Sequence, residues 1–333
     1  METVGTDAKT SVYRVFPLTA AARPSAPSSP NWQRNLVAGA AVGLLAGIVL
    51  VVLRKQLDSR IRHTSEVEKL TGSGVLGVIP KAPTLQSKRR GGLGELGTTA
   101  EAFRMLRTNL RYISTERPPR SLVITSAMQG EGKSTVASNL ATVLAESGEH
   151  VVLIDADLRR SAVARAFDLD GTVGLSQVLA GTATLVDALQ PSHTDGLEIL
   201  AAGAVPPNPS ELLGSHRMEQ LIEQLAQDHF VILDAPPLLP VTDAALLTRS
   251  ADGAVLVVAA AKTHKEEVER AVAALRAVDG KVLGAILNQV STSKVDRIRY
   301  GDVEYGYTKS YTRDYVYEAD GAGVTSRREL KGN

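Results

Sequence analysis

The chain has 333 residues, 44% of them hydrophobic, and a formal net charge of +1. That length allows one or two domains with a full α/β core, and the even charge balance offers nothing to a nucleic-acid partner. Cysteine is absent and the six histidines are scattered, which excludes a disulfide framework, a thiolate metal site and any histidine metal spacing.

Residues 1–35 include Pro17, Pro24, Pro27 and Pro30 and read as an extended segment entering a membrane. Leu36 to Leu53 is an uncharged apolar run of 18 residues, near the lower limit for a bilayer span. Trp32 stands where an interfacial anchor would, and Arg54-Lys55 closes the other end. Gly39, Gly43 and Gly47 present one small-residue face suited to close helix packing. A buried core helix is the competing reading. A run without a polar residue on any face does not fit a helix with one side in water. A cleaved signal peptide fits less well, because the preceding segment is too long and proline-broken. Arg54, Lys55, Arg60, Arg62 and Lys69 follow the span closely, against Lys9, Arg14, Arg23 and Arg34 before it. The excess places the C-terminal side in the cytoplasm and residues 1–35 outside it.

Residues 54–98 begin with a short helical pattern that runs into the strand-like Val75-Leu-Gly-Val-Ile-Pro80, and end in a Lys-, Gly- and Thr-rich linker from residue 81. A helix follows from about Thr99 to Tyr112, with Phe103, Leu106 and Leu110 on its apolar stripe. From Ser121 to Asn288 apolar strands alternate with helical patterns, the strands near 121–125, 151–155, 197–200, 230–234, 253–259 and 282–288. This alternation predicts an α/β domain over residues 99–290, a mainly parallel sheet with helices on both faces. After Val290 the apolar runs stop, and residues 291–333 read as a disordered tail.

Thr125-Ser-Ala-Met-Gln-Gly-Glu-Gly-Lys-Ser-Thr135 lies between the first of these strands and a helical pattern from Ser134, the context a phosphate-binding P-loop requires. Gly130 and Gly132, with Glu131 between them, let backbone N–H groups point at phosphate oxygens beside a helix N-terminus. Lys133 reaches the β- and γ-phosphates, the Ser134 hydroxyl ligates Mg²⁺, and Thr135 completes the loop. The usual first glycine is Ala127, small enough for the same turn. A nucleoside triphosphate, ATP, with Mg²⁺ is the ligand this implies. Two further strands end in carboxylates: Val151-Val-Leu-Ile-Asp155-Ala-Asp157-Leu-Arg159 and Val231-Ile-Leu-Asp234-Ala-Pro-Pro237. In an open parallel sheet such ends converge on the ligand. Asp234 suits the Mg²⁺-holding role, and Asp155 and Asp157 exceed what that role needs. One of the extra pair could take the proton of a hydroxyl acceptor; alternatively Asp155 or Asp157 caps the helix that follows.

The tail holds Tyr300, Tyr305, Tyr307, Tyr311, Tyr315 and Tyr317, six of the chain's eight tyrosines. Eight basic and seven acidic residues in the tail exclude a funnel for a polyanion. Phosphoryl acceptance by these hydroxyls is the better explanation of the cluster.

The loop Ala127-x-x-Gly-Glu-Gly-Lys-Ser134, Asp155-x-Asp157-x-Arg159, the Asp234-x-Pro-Pro237 strand end, Glu101-x-x-Arg104-x-x-Arg107, the Pro-rich entry and the tyrosine cluster together resemble the bacterial tyrosine autokinases (BY-kinases) of capsule and exopolysaccharide export, the co-polymerase type. The resemblance implies autophosphorylation of the tail in trans within a ring of subunits joined through Glu101, Arg104 and Arg107. It implies Lys133 and Ser134 on the phosphates and Mg²⁺, Asp157 and Asp234 completing the Mg²⁺ site, Asp155 as base, and Asn288 against adenine. It further implies partnership with polysaccharide polymerase and export machinery, a phosphotyrosine phosphatase, and a cell-membrane location with the kinase domain in the cytoplasm. Leu57 to Pro80 looks like the cytoplasmic activator segment that some relatives carry on a separate membrane protein. Full-length single-chain relatives place a first transmembrane helix and an extracytoplasmic domain before the Pro-rich segment; this chain starts at about that point, so either that domain is missing or Met1 is not the natural start. Two alternatives compete: a ParA/MinD-like membrane-associated ATPase switch, which carries a Lys where Met128 stands, and a catalytically silent nucleotide-binding scaffold.

Overall fold

The computed structural model describes residues 30–56, 58–82, 98–113 and 118–291. Most of the Pro-rich entry, the linker at 83–97 and all six tail tyrosines lie outside the described residues. The chain divides into two compact units after Asp58.

In the first unit, helix α1 (Trp32–Gln56) has 25 residues. At about 1.5 Å per residue it exceeds the ~30 Å hydrocarbon core of a bilayer. Its stretch Trp32–Arg54 has a mean hydropathy of 2.8 and none of it is buried in protein. No polar face exists to set one side toward water, so the helix is long and apolar enough to cross a membrane.

The second unit is built on one eight-stranded sheet. Its elements run α2 (Thr64–Thr71), β1 (Val75–Pro80), α3 (Thr98–Arg111), β2 (Ser121–Ser126), α4 (Lys133–Glu146), β3 (Val151–Asp155), α5 (Val163–Phe167), α6 (Leu175–Ala180), α7 (Leu185–Ala188), β4 (Leu189–Pro191), β5 (Leu197–Leu200), α8 (Pro209–Leu213), α9 (His216–Asp228), β6 (Phe230–Asp234), α10 (Asp243–Ser250), β7 (Gly253–Ala259), α11 (Lys265–Arg276) and β8 (Val282–Val290). The strand order is β1-β8-β7-β2-β6-β3-β5-β4, and every pairing is parallel except β4 with β5.

The central strands are rich in Val, Ile and Leu, and every residue of β2, β3 and β7 is buried. That is the composition of strands covered on both faces. Alternate side chains feed opposite cores. Val123, Val152 and Leu233 join α2, α6 and α8–α11 on one face. Leu122, Ile124 and Ile232 join Phe103, Leu106 and Leu110 of α3 and the apolar side of α4 on the other.

The parallel strands bring their carboxyl ends to one edge, with Asp155 directly opposite Asp234. The segment read as an activator piece contributes α2 and β1 to this same unit, and β1 closes the sheet against β8. The antiparallel β4 was not legible in the sequence, since three residues ending in Pro191 carry no periodicity.

Candidate active site

The phosphate loop joins β2 to α4. Gly130 and Gly132 have φ of 79° and 96°, in the left-handed region that side chains disfavour. Ala127 is not among the positive-φ residues and is fully buried, so its methyl faces the core rather than the loop cavity. This is why alanine serves where glycine is usual.

Lys133 opens α4 and turns its Nζ into a nest of carboxylates: 2.9 Å from Asp157 Oδ2 and 3.7 Å from Asp234 Oδ1, with Ser134 Oγ at 3.4 Å. Burial works against the lysine's charge, but Asp234 and Asp157, with Asp155 behind them, outweigh it and hold its pKa above the usual value. Asp234 is fully buried, and its two carboxylate oxygens accept no hydrogen bond among the described residues. Burial raises its pKa against the opposing pull of Lys133.

Asp155 is fully buried too. Its Oδ2 accepts the N–H groups of Ala162 and Val163 at 3.0 and 2.9 Å, and its Oδ1 accepts that of Asp157 at 3.3 Å. It therefore caps α5, the structural role weighed from sequence. Burial, and then the charge of Asp234, push its pKa up to about 7, although the two α5 N–H groups pull the other way.

Asp234 supplies orphaned oxygens, Asp157 a second carboxylate and Ser134 a hydroxyl, which is the hard oxygen donor set Mg²⁺ prefers. No group of three or more His, Cys, Asp or Glu among the described residues could hold a metal alone. A cation here would complete its shell with phosphate oxygens and water, as Mg²⁺ commonly does.

The remaining predicted residues divide. The Glu131 carboxylate turns inward, accepting from Met128 N at 2.8 Å and meeting Thr263 Oγ1; burial raises its pKa. Its side chain braces the loop from beneath. Asn288 stands at the loop and donates its amide to the Glu131 carbonyl at 2.8 Å. Thr135 lies on the first turn of α4, where its carbonyl accepts from Asn139 at 2.7 Å. Glu101, Arg104 and Arg107 lie on α3, outside this nest. Glu101 and Arg104 pair within the helix at 3.0 Å, both nearly half exposed, while Arg107 has no partner among the described residues.

Several neighbours carried no sequence signal. Lys262 and Gln289 donate to the Gly130 carbonyl at 2.8 and 3.0 Å. The loop bearing Lys262 and Thr263 is itself gripped by the segment after the first unit: Ile61 N donates to Thr263 O at 2.9 Å, and Ala261 N to Ile61 O at 2.7 Å. These contacts join residues about 200 positions apart, which only the folded sheet reveals.

Comparison with known proteins places this arrangement. A family-wide sequence model described as "ParA: NUBPL iron-transfer P-loop NTPase" matches residues 119–300. The tyrosine-protein kinase YwqD of Bacillus subtilis is 46% identical over 209 residues, 62% of this chain and 85% of YwqD. The tyrosine-protein kinase Etk of Escherichia coli K12 is 34% identical over 287 residues, 79% of this chain but only 39% of Etk. The solved kinase domain of the E. coli kinase superimposes with a TM-score of 0.64 at 35% identity, covering 70% of this chain and 96% of that domain.

Proposed function

The chain belongs to the bacterial tyrosine-protein kinases built on a ParA-type P-loop fold, and from that premise we propose that it transfers the γ-phosphoryl group of ATP to tyrosines of its own tail, in trans between subunits of a ring. The observation that carries the acceptor assignment is one of position. β8 runs parallel to β7, and near its end Asn288 and Gln289 donate to the phosphate loop, so the described chain ends at the sheet edge that holds Lys133, Asp157 and Asp234, which supports the reading.

The loop N–H groups and Lys133 hold the phosphates, and Lys133 leaves Asp157 to do so. Ser134, Asp157 and Asp234 would hold Mg²⁺, which when bound would neutralise phosphate charge. Asp155 takes the phenolic proton as the tyrosine oxygen attacks, its pKa of about 7 suiting a base near neutral pH. Asn288, held at the loop, orients the adenine side. Glu101, Arg104 and Arg107 join neighbouring subunits, because an exposed intrahelical pair is worth little to one chain. Helix α1 anchors the chain in the cell membrane with the kinase domain cytoplasmic, where ATP is available. In that setting the protein serves assembly and export of a capsule or exopolysaccharide, with its machinery as partner and a phosphotyrosine phosphatase resetting the tail.

The ATPase-switch alternative places no demand on the tail. The purified chain, incubated with ATP and Mg²⁺, is expected to gain phosphotyrosine on residues 300–317, read by mass spectrometry, and to gain none after Lys133→Met. ATP hydrolysis without phosphotyrosine would favour the switch.

A further inference from the structure

Two consecutive arginines follow Leu158; both are exposed, and they bond different neighbours. The Arg159 guanidinium reaches a buried carboxylate while its side chain stays 40% exposed. Its Nε donates to Asp243 Oδ2 at 2.8 Å, and a terminal nitrogen reaches Asp243 Oδ1 at 3.3 Å and Ser210 Oγ at 3.0 Å. Asp243 is fully buried at the start of α10, and Ser210 Oγ donates to it at 2.6 Å. This bidentate pair bolts the loop after β3 to the element that follows the Asp234 loop.

Arg160 reaches toward the phosphate loop. Its backbone N–H donates to Asp157 Oδ1 at 3.0 Å, and its NH1 donates to Gln129 Oε1 at 2.8 Å. The residue is exposed, and the rest of its guanidinium has no partner among the described residues. It therefore holds spare donors between the tip of the phosphate loop and the carboxylate that pairs with Lys133. The loop itself offers no second cation on that side, because its second position is Met128, 39% exposed. Lys262, the other nearby cation, is tied to the Gly130 carbonyl by the β7 loop.

We propose that Arg160 is a catalytic arginine of the phosphoryl transfer, supplied from within the chain. The proposal rests on the kinase reading above. In the transfer the tyrosyl oxygen bonds to the γ-phosphorus, the β–γ bridging P–O bond breaks, its electron pair leaves with ADP, and the phenolic proton passes to Asp155. Charge spreads over the three equatorial oxygens as this happens, and a planar guanidinium meets two of them at once where a lysine meets one. Arg159 is the positioning residue of the device: bolted to Asp243, it keeps the loop from carrying its neighbour away from the phosphates.

The test uses the full chain with ATP and Mg²⁺, comparing wild type, Arg160→Ala and Arg160→Lys. Two quantities are read: the initial rate of phosphotyrosine formation at saturating ATP, and the affinity for a fluorescent ADP. Arg160→Ala is expected to slow the rate by ~10²–10³-fold while changing nucleotide affinity less than about threefold. Arg160→Lys should recover only part of the rate. Added guanidinium ion should accelerate Arg160→Ala and leave Lys133→Met inert, a rescue that a merely structural arginine would not show. A rate within about threefold of wild type overturns the proposal, and so does a parallel loss of nucleotide affinity of about tenfold or more. If Arg160→Ala does not fold, Arg160→Lys carries the comparison. A wild-type chain that makes no phosphotyrosine sinks the kinase reading itself, before any variant is compared.

Discussion

Asp155 meets conflicting demands. Its oxygens cap α5, yet burial and the charge of Asp234 raise its pKa to about 7. Because this folded-state value lies above the ordinary one, the group stabilises the fold at low pH, and that contribution is lost as pH rises from about 4 through 7. Asparagine keeps an acceptor for the cap without the charge. Asp155→Asn is therefore expected to melt about 4 °C above wild type at pH 8 and level with it at pH 4, by circular dichroism without nucleotide. Equal melting at both values would mean that Asp155 is already neutral or already compensated at pH 8. The same substitution should keep ATP binding and lose roughly 10²–10⁴-fold in phosphotyrosine formation. In the wild type the rate should climb with pH through about 7. A flat profile from pH 5 to 8 would remove Asp155 as the base.

At the scale of elements, the loop between β7 and α11 links the segment after the first unit to the phosphate loop. Ser59, Ile61 and Glu66 hold it from one side, through His264 at 2.9 Å, two backbone bonds and Lys265 at 2.8 Å. Thr263 and Lys262 pass that hold to Glu131 and Gly130. Thr263→Val removes the hydroxyl and leaves the buried Glu131 carboxyl with one donor fewer, a loss worth about 1–3 kcal/mol. The expected result is roughly tenfold weaker ATP binding by calorimetry. Unchanged affinity would make the contact a stabiliser of the fold only. Helix α3 has a different test. Breaking the Glu101–Arg104 pair costs the monomer only about 0.2–0.5 kcal/mol, so Glu101→Arg should stay folded. Its assembly should nevertheless fail, read as monomer mass by light scattering with little phosphotyrosine.

At the scale of the whole molecule, charge and topology set the behaviour. Residues 291–333 carry eight basic and seven acidic side chains, so the unphosphorylated tail can approach a site rich in aspartate. Each phosphate adds about −1.5 to −2 charge at pH 7, so six add roughly −9 to −12. If the chain assembles as proposed, the phosphorylated tail should be repelled by the neighbour's carboxylates and bound nucleotide, and the proposed ring should loosen. Phenylalanine at all six positions is expected to keep the assembled form at low salt while ATP binding persists. Identical oligomer sizes for that protein and the fully phosphorylated wild type would refute the charge switch. Helix α1 should carry the untagged protein into the membrane fraction, with the kinase domain protected from external protease in intact cells. A fully soluble protein would show that the apolar helix does not span.

The local parts were legible along the chain: the phosphate loop, the strand-end carboxylates, the apolar span and the α3 stripe. Each depends on neighbours within a few residues, where periodicity, glycine placement and strand length are physically encoded. What met those parts depended on the fold. The sheet order placed Asp155 opposite Asp234 and so raised its pKa, and it made β1 an edge strand of the same sheet. It also seated Asp243 and Ser210 on Arg159, set Arg160 against Gln129, and brought Ile61 to the loop that braces Glu131. Such contacts arise because parallel strands far apart in the chain end at one edge. No pattern along a single segment carries that information.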